Sequence, residues 1–286
     1  MVTHGPKYEC ASTASEDGVP EMKSRQDIVS AISLSIIVIL LVSSPALADV
    51  KTKTVTYKDG DVALEGFLVW NDAQSEKRPG VLVTYEWWGQ TEESQERARR
   101  VAEAGYVAFV PDMYGEGKST GDPAQAKEWT MGVTGDEALW NRRAQLGLDV
   151  LTAQPHVDSS KLAVIGSSFG GSTALQMAYA GFDIKAAVSI GSTLPIAPDT
   201  VTSIKPRLLV LHGRNDQYVK PEHIEKFMNA LDKANANWEM TFYSGAVHSF
   251  ATPVAGSHGI DNLAYNEMAD RRSWVAITSL LDEVFR

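Results

Sequence analysis

The sequence predicts an α/β fold, a doubly wound, mostly parallel sheet with an N-terminal antiparallel hairpin and no large cap domain. Three observations predict it. From residue 81 onward, short apolar segments of strand length alternate with amphipathic helical segments, the pattern of a parallel sheet covered by helices on both faces. Two longer strand-like stretches, 51–57 and 62–70, come first and are separated by Lys58-Asp59-Gly60-Asp61, a hairpin turn signal. Between Ile190 and Pro206 there is no room for an inserted domain.

After the hairpin, strands are expected at 81–85, 107–110, 162–165, 186–190, 208–211 and 238–243, most of them runs of valine, isoleucine, leucine and alanine. Helices are expected at 92–104, 136–153, 170–180, 221–234 and 263–285. In the last, Trp274, Ile277, Leu281 and Phe285 recur three or four residues apart and form one stripe to bury. No internal repeat, low-complexity tract or linker interrupts residues 49–286, which read as one domain.

Composition narrows the class. With 44% hydrophobic and 22% charged residues the chain has an ordinary globular balance, which excludes disordered, collagen-like and coiled-coil classes. A formal net charge of −10 argues against a nucleic-acid partner, whose phosphates need a basic face.

Residues 1–48 stand apart. A 15-residue apolar run, 28–42, is preceded by Lys23 and Arg25 and followed by Ser43-Ser44-Pro45-Ala46-Leu47-Ala48. A basic flank, a short apolar centre, a helix-breaking proline and an Ala-x-Ala site predict a signal peptide cleaved after Ala48. An uncleaved anchor would need roughly 20 apolar residues, and Ser43-Ser44-Pro45 interrupts the run sooner. The polar stretch ahead of the run is long for a basic flank, and a start at Met22 would leave an ordinary one. The expected product is a periplasmic or secreted domain of residues 49–286 with no stable membrane association. The one cysteine, Cys10, precedes the cleavage site, so that domain would hold no thiol, which suits an oxidising compartment.

The strongest chemical signal is Gly166-Ser167-Ser168-Phe169-Gly170, a G-x-S-x-G pattern between the strand at 162–165 and a helix. That context is the one a nucleophile elbow requires. The serine sits on a strained turn, its flanking glycines let other backbone approach, and the helix N-terminus favours developing negative charge. A bland glycine-rich junction with an incidental serine is the weaker alternative.

A serine hydroxyl needs a base, and in α/β-hydrolases the chain order is serine, carboxylate, histidine. Asp216 follows the strand at 208–211 and lies 48 residues after Ser168; His248 follows the strand at 238–243, a further 32 residues on. Each sits just past the C-terminal end of a strand, where open α/β sheets place their sites. The candidate catalytic set is therefore Ser168 as nucleophile, His248 as base and Asp216 as the group that orients the imidazole. His212 is still at its strand end and reads as a packed turn residue; His156, His223 and His258 read as solvated. Asp216 could also be a loop-capping aspartate.

Several stretches resemble the dienelactone hydrolase family: 80–89 (GVLVTYEWWG), 104–115 (AGYVAFVPDMYG), the elbow 165–171, 211–216, 245–250 and 265–274. They run in order through nearly all of residues 49–286. The resemblance implies that the backbone N–H groups of Trp87 and Phe169 form the oxyanion hole. It also places Glu86 beside the nucleophile, where it would shape protonation, or else orient loop backbone. It further implies pocket-lining roles for Trp88 and Tyr114, which could equally be aromatic core. Two departures matter. The name-giving enzymes use a cysteine where Ser168 stands, and they carry a carboxylate-binding arginine soon after the histidine, where Thr252 stands.

Gly117-Lys118-Ser119 looks like the end of a P-loop, but the earlier glycine that motif needs falls on Asp112. No zinc-type His-Glu-x-x-His occurs, and neither a metal nor an organic cofactor is expected. The expected activity is hydrolysis of a small or medium ester or lactone through an acyl-enzyme, by a monomer or small homo-oligomer. Its pocket would be fairly open, bordered by loops 112–121, 192–205 and 251–262. The rivals are a peptidase or acyltransferase on the same residues, and a non-catalytic binding protein of the same fold.

Overall fold

The structure, a computed structural model, describes Met1, residues 50–73 and residues 76–286. The apolar run and the cleavage site expected after Ala48 lie outside the described residues.

The chain opens with the hairpin β1 (Val50–Asp59) and β2 (Val62–Asn71), paired antiparallel from Val50↔Asn71 to Asp59↔Val62. Then come β3 (Arg78–Thr84), α1 (Glu92–Glu103), β4 (Val107–Val110), α2 (Pro123–Thr134), α3 (Glu137–Thr152), β5 (Val157–Ser167) and α4 (Phe169–Tyr179). β6 (Ala186–Ile190), β7 (Arg207–Gly213), α5 (Pro221–Lys233), β8 (Trp238–Tyr243) and α6 (Glu267–Val284) complete it. The strands form one 8-stranded sheet in the order β1-β2-β4-β3-β5-β6-β7-β8. β2 meets β4 antiparallel, and every later pair is parallel. This is the doubly wound, mostly parallel sheet with an N-terminal antiparallel hairpin that the alternating pattern predicts.

Burial explains why the central strands carry so few polar residues. Val81, Leu82 and Val83 of β3, Val164 and Ile165 of β5, and Leu208 and Leu211 of β7 are inaccessible or nearly so, as strands covered on both faces must be. α4 is buried along all 11 of its residues, which accounts for its small and apolar composition (Gly170, Gly171, Ala174, Ala178). The hairpin is tied to the rest by Asp59, which accepts from Arg142 Nε at 2.6 Å and from Arg143 Nε at 2.9 Å on α3. Asp112, fully buried after β4, accepts from the amides of Glu65, Tyr114, Gly115 and Gly117, so one carboxylate holds the whole turn.

Three elements differ from expectation. β5 begins earlier, at Val157. α6 begins at Glu267, not at residue 263, because Asn266 caps it by accepting from the Ala269 amide, and Leu263 is drawn instead into a bridge with His248. α2 is a helix in a stretch where no element was expected. Only Ala126 and Val133 of it are buried, with Trp129 partly so, which leaves a narrow apolar stripe. Its signal lies in its cap, where Asp122 accepts from the Ala124 amide ahead of Pro123 at the first helical position. Among the described residues no helix is long and apolar enough to cross a membrane.

Candidate active site

The C-terminal ends of β3, β5, β7 and β8 converge on one edge of the sheet, and the loops leaving them carry the residues singled out by the sequence. Between β5 and α4 the chain reverses through Ser168 alone, with φ 52° and ψ −114°. A non-glycine residue in that region stores about 1–3 kcal/mol, which the surroundings must hold. They do so in two ways. The Ser168 amide donates to the Ile190 carbonyl at 2.9 Å, and Thr84 Oγ1 donates to the Gly170 carbonyl at 2.9 Å. The flanking glycines are required for space: a Cβ on Gly166 would lie 2.0 Å from the Gly170 carbonyl oxygen, and one on Gly170 would lie 2.2 Å from that of Thr84.

Ser168 Oγ lies 2.9 Å from His248 Nε2, and His248 Nδ1 lies 2.8 Å from Asp216 Oδ2. The structure thus brings together three residues from three separate loops. The Asp216 side chain has no exposed area and that of His248 is 9% exposed, so their contact is shielded from water. Burial pushes the Asp216 carboxyl up. The hydrogen bond and charge of His248 and the Tyr218 amide, which donates to Oδ1 at 2.8 Å, outweigh it and hold the carboxyl below its usual value. Asp216 therefore stays an anion throughout the neutral range and fixes the imidazole with its second nitrogen toward Ser168.

Residues not singled out from the sequence hold this geometry. Asn262 accepts the His248 amide on its backbone carbonyl at 3.1 Å, accepts the Gln217 amide on its side chain at 2.7 Å, and donates to the Asn215 carbonyl at 3.1 Å. It clamps the Asp216 loop to the His248 loop. The Tyr218 ring stands edge-on to His248 at 5.1 Å. An asparagine next to an aspartate in a loop is an ordinary turn sequence, so nothing in the pattern marked Asn262.

A cavity of about 460 Å3 opens beside Ser168 and His248. Trp87 and Phe169 line it, as do Thr130 and Thr134 of α2, the helix missed in the sequence. The loop 192–205 contributes Thr193 and Pro195 and the loop 251–262 contributes Ile260, whereas loop 112–121 contributes nothing. Trp88 and Tyr114 do not line it, contrary to expectation. Trp88 turns away to stack on His258 at 3.9 Å, and Tyr114 lies behind Phe169, stacked on it at 5.6 Å, with its hydroxyl on the Trp87 carbonyl at 3.1 Å. The Trp87 and Trp88 rings touch each other at 4.8 Å, yet only Trp87 lines the cavity beside Ser168, which a resemblance of residue type cannot reveal.

Glu86 also faces elsewhere. Its carboxylate accepts from Thr252 Oγ1 at 2.6 Å and Ser249 Oγ at 3.1 Å. It lines a second cavity of about 470 Å3 with Arg97, Arg100, Trp88 and Asp270. Ser249 follows His248 with φ 55°, so Glu86 anchors a strained turn next to the histidine. His212 is buried with neither ring nitrogen hydrogen-bonded. Burial holds it below its usual value against the opposing pull of Asp216, with His248 adding to the lowering. Among the described residues no group of three or more His, Cys, Asp or Glu side chains is placed to hold a metal ion.

Residues 64–285 match the model of the dienelactone hydrolase family. The chain belongs to the dienelactone hydrolase family. A Yersinia pestis protein, provisionally named a carboxymethylenebutenolidase, is 30% identical over 210 residues, 69% of this chain and 78% of its own length. Among solved structures, a dienelactone hydrolase-like promiscuous phosphotriesterase from metagenomic libraries superposes with a TM-score of 0.79 at 39% identity. The match covers 82% of this chain and 98% of that one. A ferulic acid esterase of Streptomyces cinnamoneus shares the fold, with a TM-score of 0.65 at 16% identity over 85% of this chain and 92% of its own. As a dienelactone hydrolase family member the chain is a hydrolase of the α/β-hydrolase fold. The resemblance read from the residues at 80–89, 104–115 and 265–274 identifies the same family.

Proposed function

We propose that this dienelactone hydrolase family member is a serine hydrolase that cleaves carboxylic ester or lactone bonds of small to medium substrates through an acyl-enzyme. The observation that carries it is the unbroken chain from Ser168 Oγ through His248 to buried Asp216, at 2.9 and 2.8 Å, opening onto a cavity of ligand size. As Ser168 Oγ attacks the carbonyl carbon, its proton passes to His248 Nε2, and Asp216 stabilises the imidazolium. The carbonyl oxygen becomes an anion. Phe169, first in α4, has an amide that the helix itself cannot use, and with the Trp87 amide it supplies the donors. Collapse expels the alcohol, which takes the proton from His248. Water then attacks the acyl-enzyme by the same route, His248 taking its proton and returning it to Ser168.

A second reading has an observation in its favour. The relative at 39% identity is named a promiscuous phosphotriesterase, and Ser168 attack at phosphorus in a neutral triester would use the same donors. We also propose that the domain is exported, on the strength of the apolar run at 28–42 and the Ala-x-Ala site.

The test is labelling by a fluorophosphonate probe with Ser168→Ala as control, followed by p-nitrophenyl esters of increasing chain length and a neutral aryl phosphotriester. Labelling that requires Ser168 and steady ester turnover are expected. An unlabelled wild type would remove the serine hydrolase assignment, and triester turnover exceeding ester turnover would favour the second reading.

A further inference from the structure

The cavity beside Ser168 differs in charge from its neighbour on the far side of Glu86. Trp87, Trp140, Phe169 and Tyr218 give it aromatic walls, Ile260 and Leu263 add aliphatic ones, and the polar remainder is hydroxyl groups and His248. Among the described residues no lysine, arginine, aspartate or glutamate lines it. Arg97 and Arg100 line the other cavity, and both are occupied. Arg97 Nη2 donates to the Ala251 carbonyl at 2.7 Å, and Arg100 pairs with Asp270 at 3.2 Å while lying over the Trp274 ring. Thr252, after the histidine, gives its hydroxyl to Glu86. A substrate carboxylate in the Ser168 cavity would therefore meet no counter-ion, and an unpaired ion in such a place is strongly disfavoured.

The aromatic walls are held in place. Trp140 is buried, and its Nε1 donates to Thr173 Oγ1 at 2.9 Å, which in turn donates to the Phe169 carbonyl at 3.0 Å. Phe169 is clasped between Tyr114, stacked at 5.6 Å, and Trp140, stacked at 6.2 Å. A flat apolar group entering here meets surfaces already fixed, so little ordering is lost on binding. At the rim Tyr218 leaves 52% of its surface exposed, enough to cover a ring that projects past the mouth.

We propose that the site selects uncharged esters bearing an aromatic or bulky apolar group and rejects esters that carry a carboxylate. This rests on the serine hydrolase assignment. The experiment compares three 4-nitrophenyl esters: the acetate, the benzoate and the 4-carboxybenzoate. Each kcat/KM is divided by the rate constant of hydroxide on the same ester, which removes intrinsic reactivity. The benzoate is expected to exceed the acetate by about tenfold or more and the 4-carboxybenzoate by about a hundredfold. Thr134→Arg, an exposed position lining the cavity, places a guanidinium at the mouth and is expected to narrow the benzoate-to-carboxybenzoate ratio by about tenfold.

A carboxybenzoate hydrolysed as well as the benzoate, or an acetate preferred to both, overturns the proposal while leaving the hydrolase assignment intact. A benzoate-to-carboxybenzoate ratio unmoved by Thr134→Arg overturns the charge argument. No turnover of any ester together with no labelling of Ser168 removes both.

Discussion

The placement of Ser168 depends on one missing methyl group, and Gly170→Ala measures how much. Gly170 does not have a positive φ, so alanine is acceptable to its backbone and the effect is one of space alone. The added Cβ would lie 2.2 Å from the Thr84 carbonyl oxygen, 2.4 Å from its carbon and 2.7 Å from the Tyr85 oxygen. Comfortable contacts begin near about 3.5 Å, so the start of α4 and the end of β3 must part by roughly 1 Å. Those atoms are backbone and cannot rotate away. Overpacking costs about 1–3 kcal/mol. Loss of the 2.9 Å bond from Thr84 Oγ1 to the Gly170 carbonyl adds about 1 kcal/mol. At roughly 2–4 °C per kcal/mol for a domain of this size, melting should fall by roughly 5–15 °C. A displacement of about 1 Å at Ser168 also lowers kcat about a hundredfold, since Oγ leaves its 2.9 Å contact with His248. Gly132→Ala is the control: on α2, without positive φ and with nothing within 4 Å of its Cβ, it should stabilise by about 0.5–1 kcal/mol at wild-type activity. Thermal melts and p-nitrophenyl acetate kinetics on both variants decide. A Gly170→Ala protein with wild-type melting and kcat would refute the steric account of the elbow.

Substitutions at three further positions separate roles that geometry assigns. Glu86→Ala should lower kcat by roughly tenfold to a hundredfold, because the Ser249 and Thr252 hydroxyls lose their acceptor and the turn after His248 loosens. Glu86→Gln, which keeps an acceptor, should recover most of it with an unshifted pH–rate profile, whereas a moved midpoint would mean that Glu86 acts on the nucleophile's proton instead. Asp59→Asn should cost about 2–3 kcal/mol at pH 7, because one acceptor oxygen is left for two guanidinium groups and buried Arg143 loses its counter-charge. The Arg142 hydrogen bond, opposed by burial and aided by Arg143, lowers the Asp59 carboxyl. Its contribution is therefore present above the unfolded value of about 3.9 and lost as pH falls through the folded one. Urea melts should show the difference between the two proteins shrinking in strong acid. His212→Leu should stabilise by about 1 kcal/mol. The buried ring has a folded pKa below the unfolded value of about 6.5, so its penalty grows as pH drops below that value and the unfolded chain takes up the proton. Melting curves at pH 7.5 and 5 that run parallel for wild type and variant would contradict this.

The sheet was legible because burial on both faces forces near-continuous apolar runs such as Val81-Leu82-Val83 and Leu208-Leu209-Val210-Leu211, which few other structures require. The meeting of Ser168, Asp216 and His248 was legible because each lies just past a parallel strand, and parallel strands bring those ends to one edge. α2 was not, since only two of its 12 residues are buried and its stripe of Ala126, Trp129 and Val133 is narrow, although Asp122-Pro123 carried the cap. The start of α6 was misplaced because Leu263 continues the apolar spacing while pairing with His248. Side-chain direction was the least legible. Trp87 and Trp88 are adjacent and identical in type, yet only the turn after β3 decides which faces Ser168.

Glu86, Ser168 and Thr252 are best understood together. In the name-giving enzymes a glutamate at the first position accompanies a cysteine nucleophile, whose reactive form is the thiolate, and an arginine that meets the substrate's charge. A serine has no comparable resting anion. In the proposed mechanism its proton leaves only as Oγ attacks, and the acceptor is His248, already at 2.9 Å. A carboxylate beside the nucleophile would then have no proton to govern. With threonine in the arginine's place, that carboxylate accepts two hydroxyl bonds, at 2.6 and 3.1 Å, and lines the second cavity. The same exchange removes the positive charge that would draw an anionic substrate toward Ser168. Under the proposed mechanism the serine, the positioning role of Glu86 and the threonine at 252 fit one another physically, and restoring a single one of the three family residues should not restore the chemistry of the others.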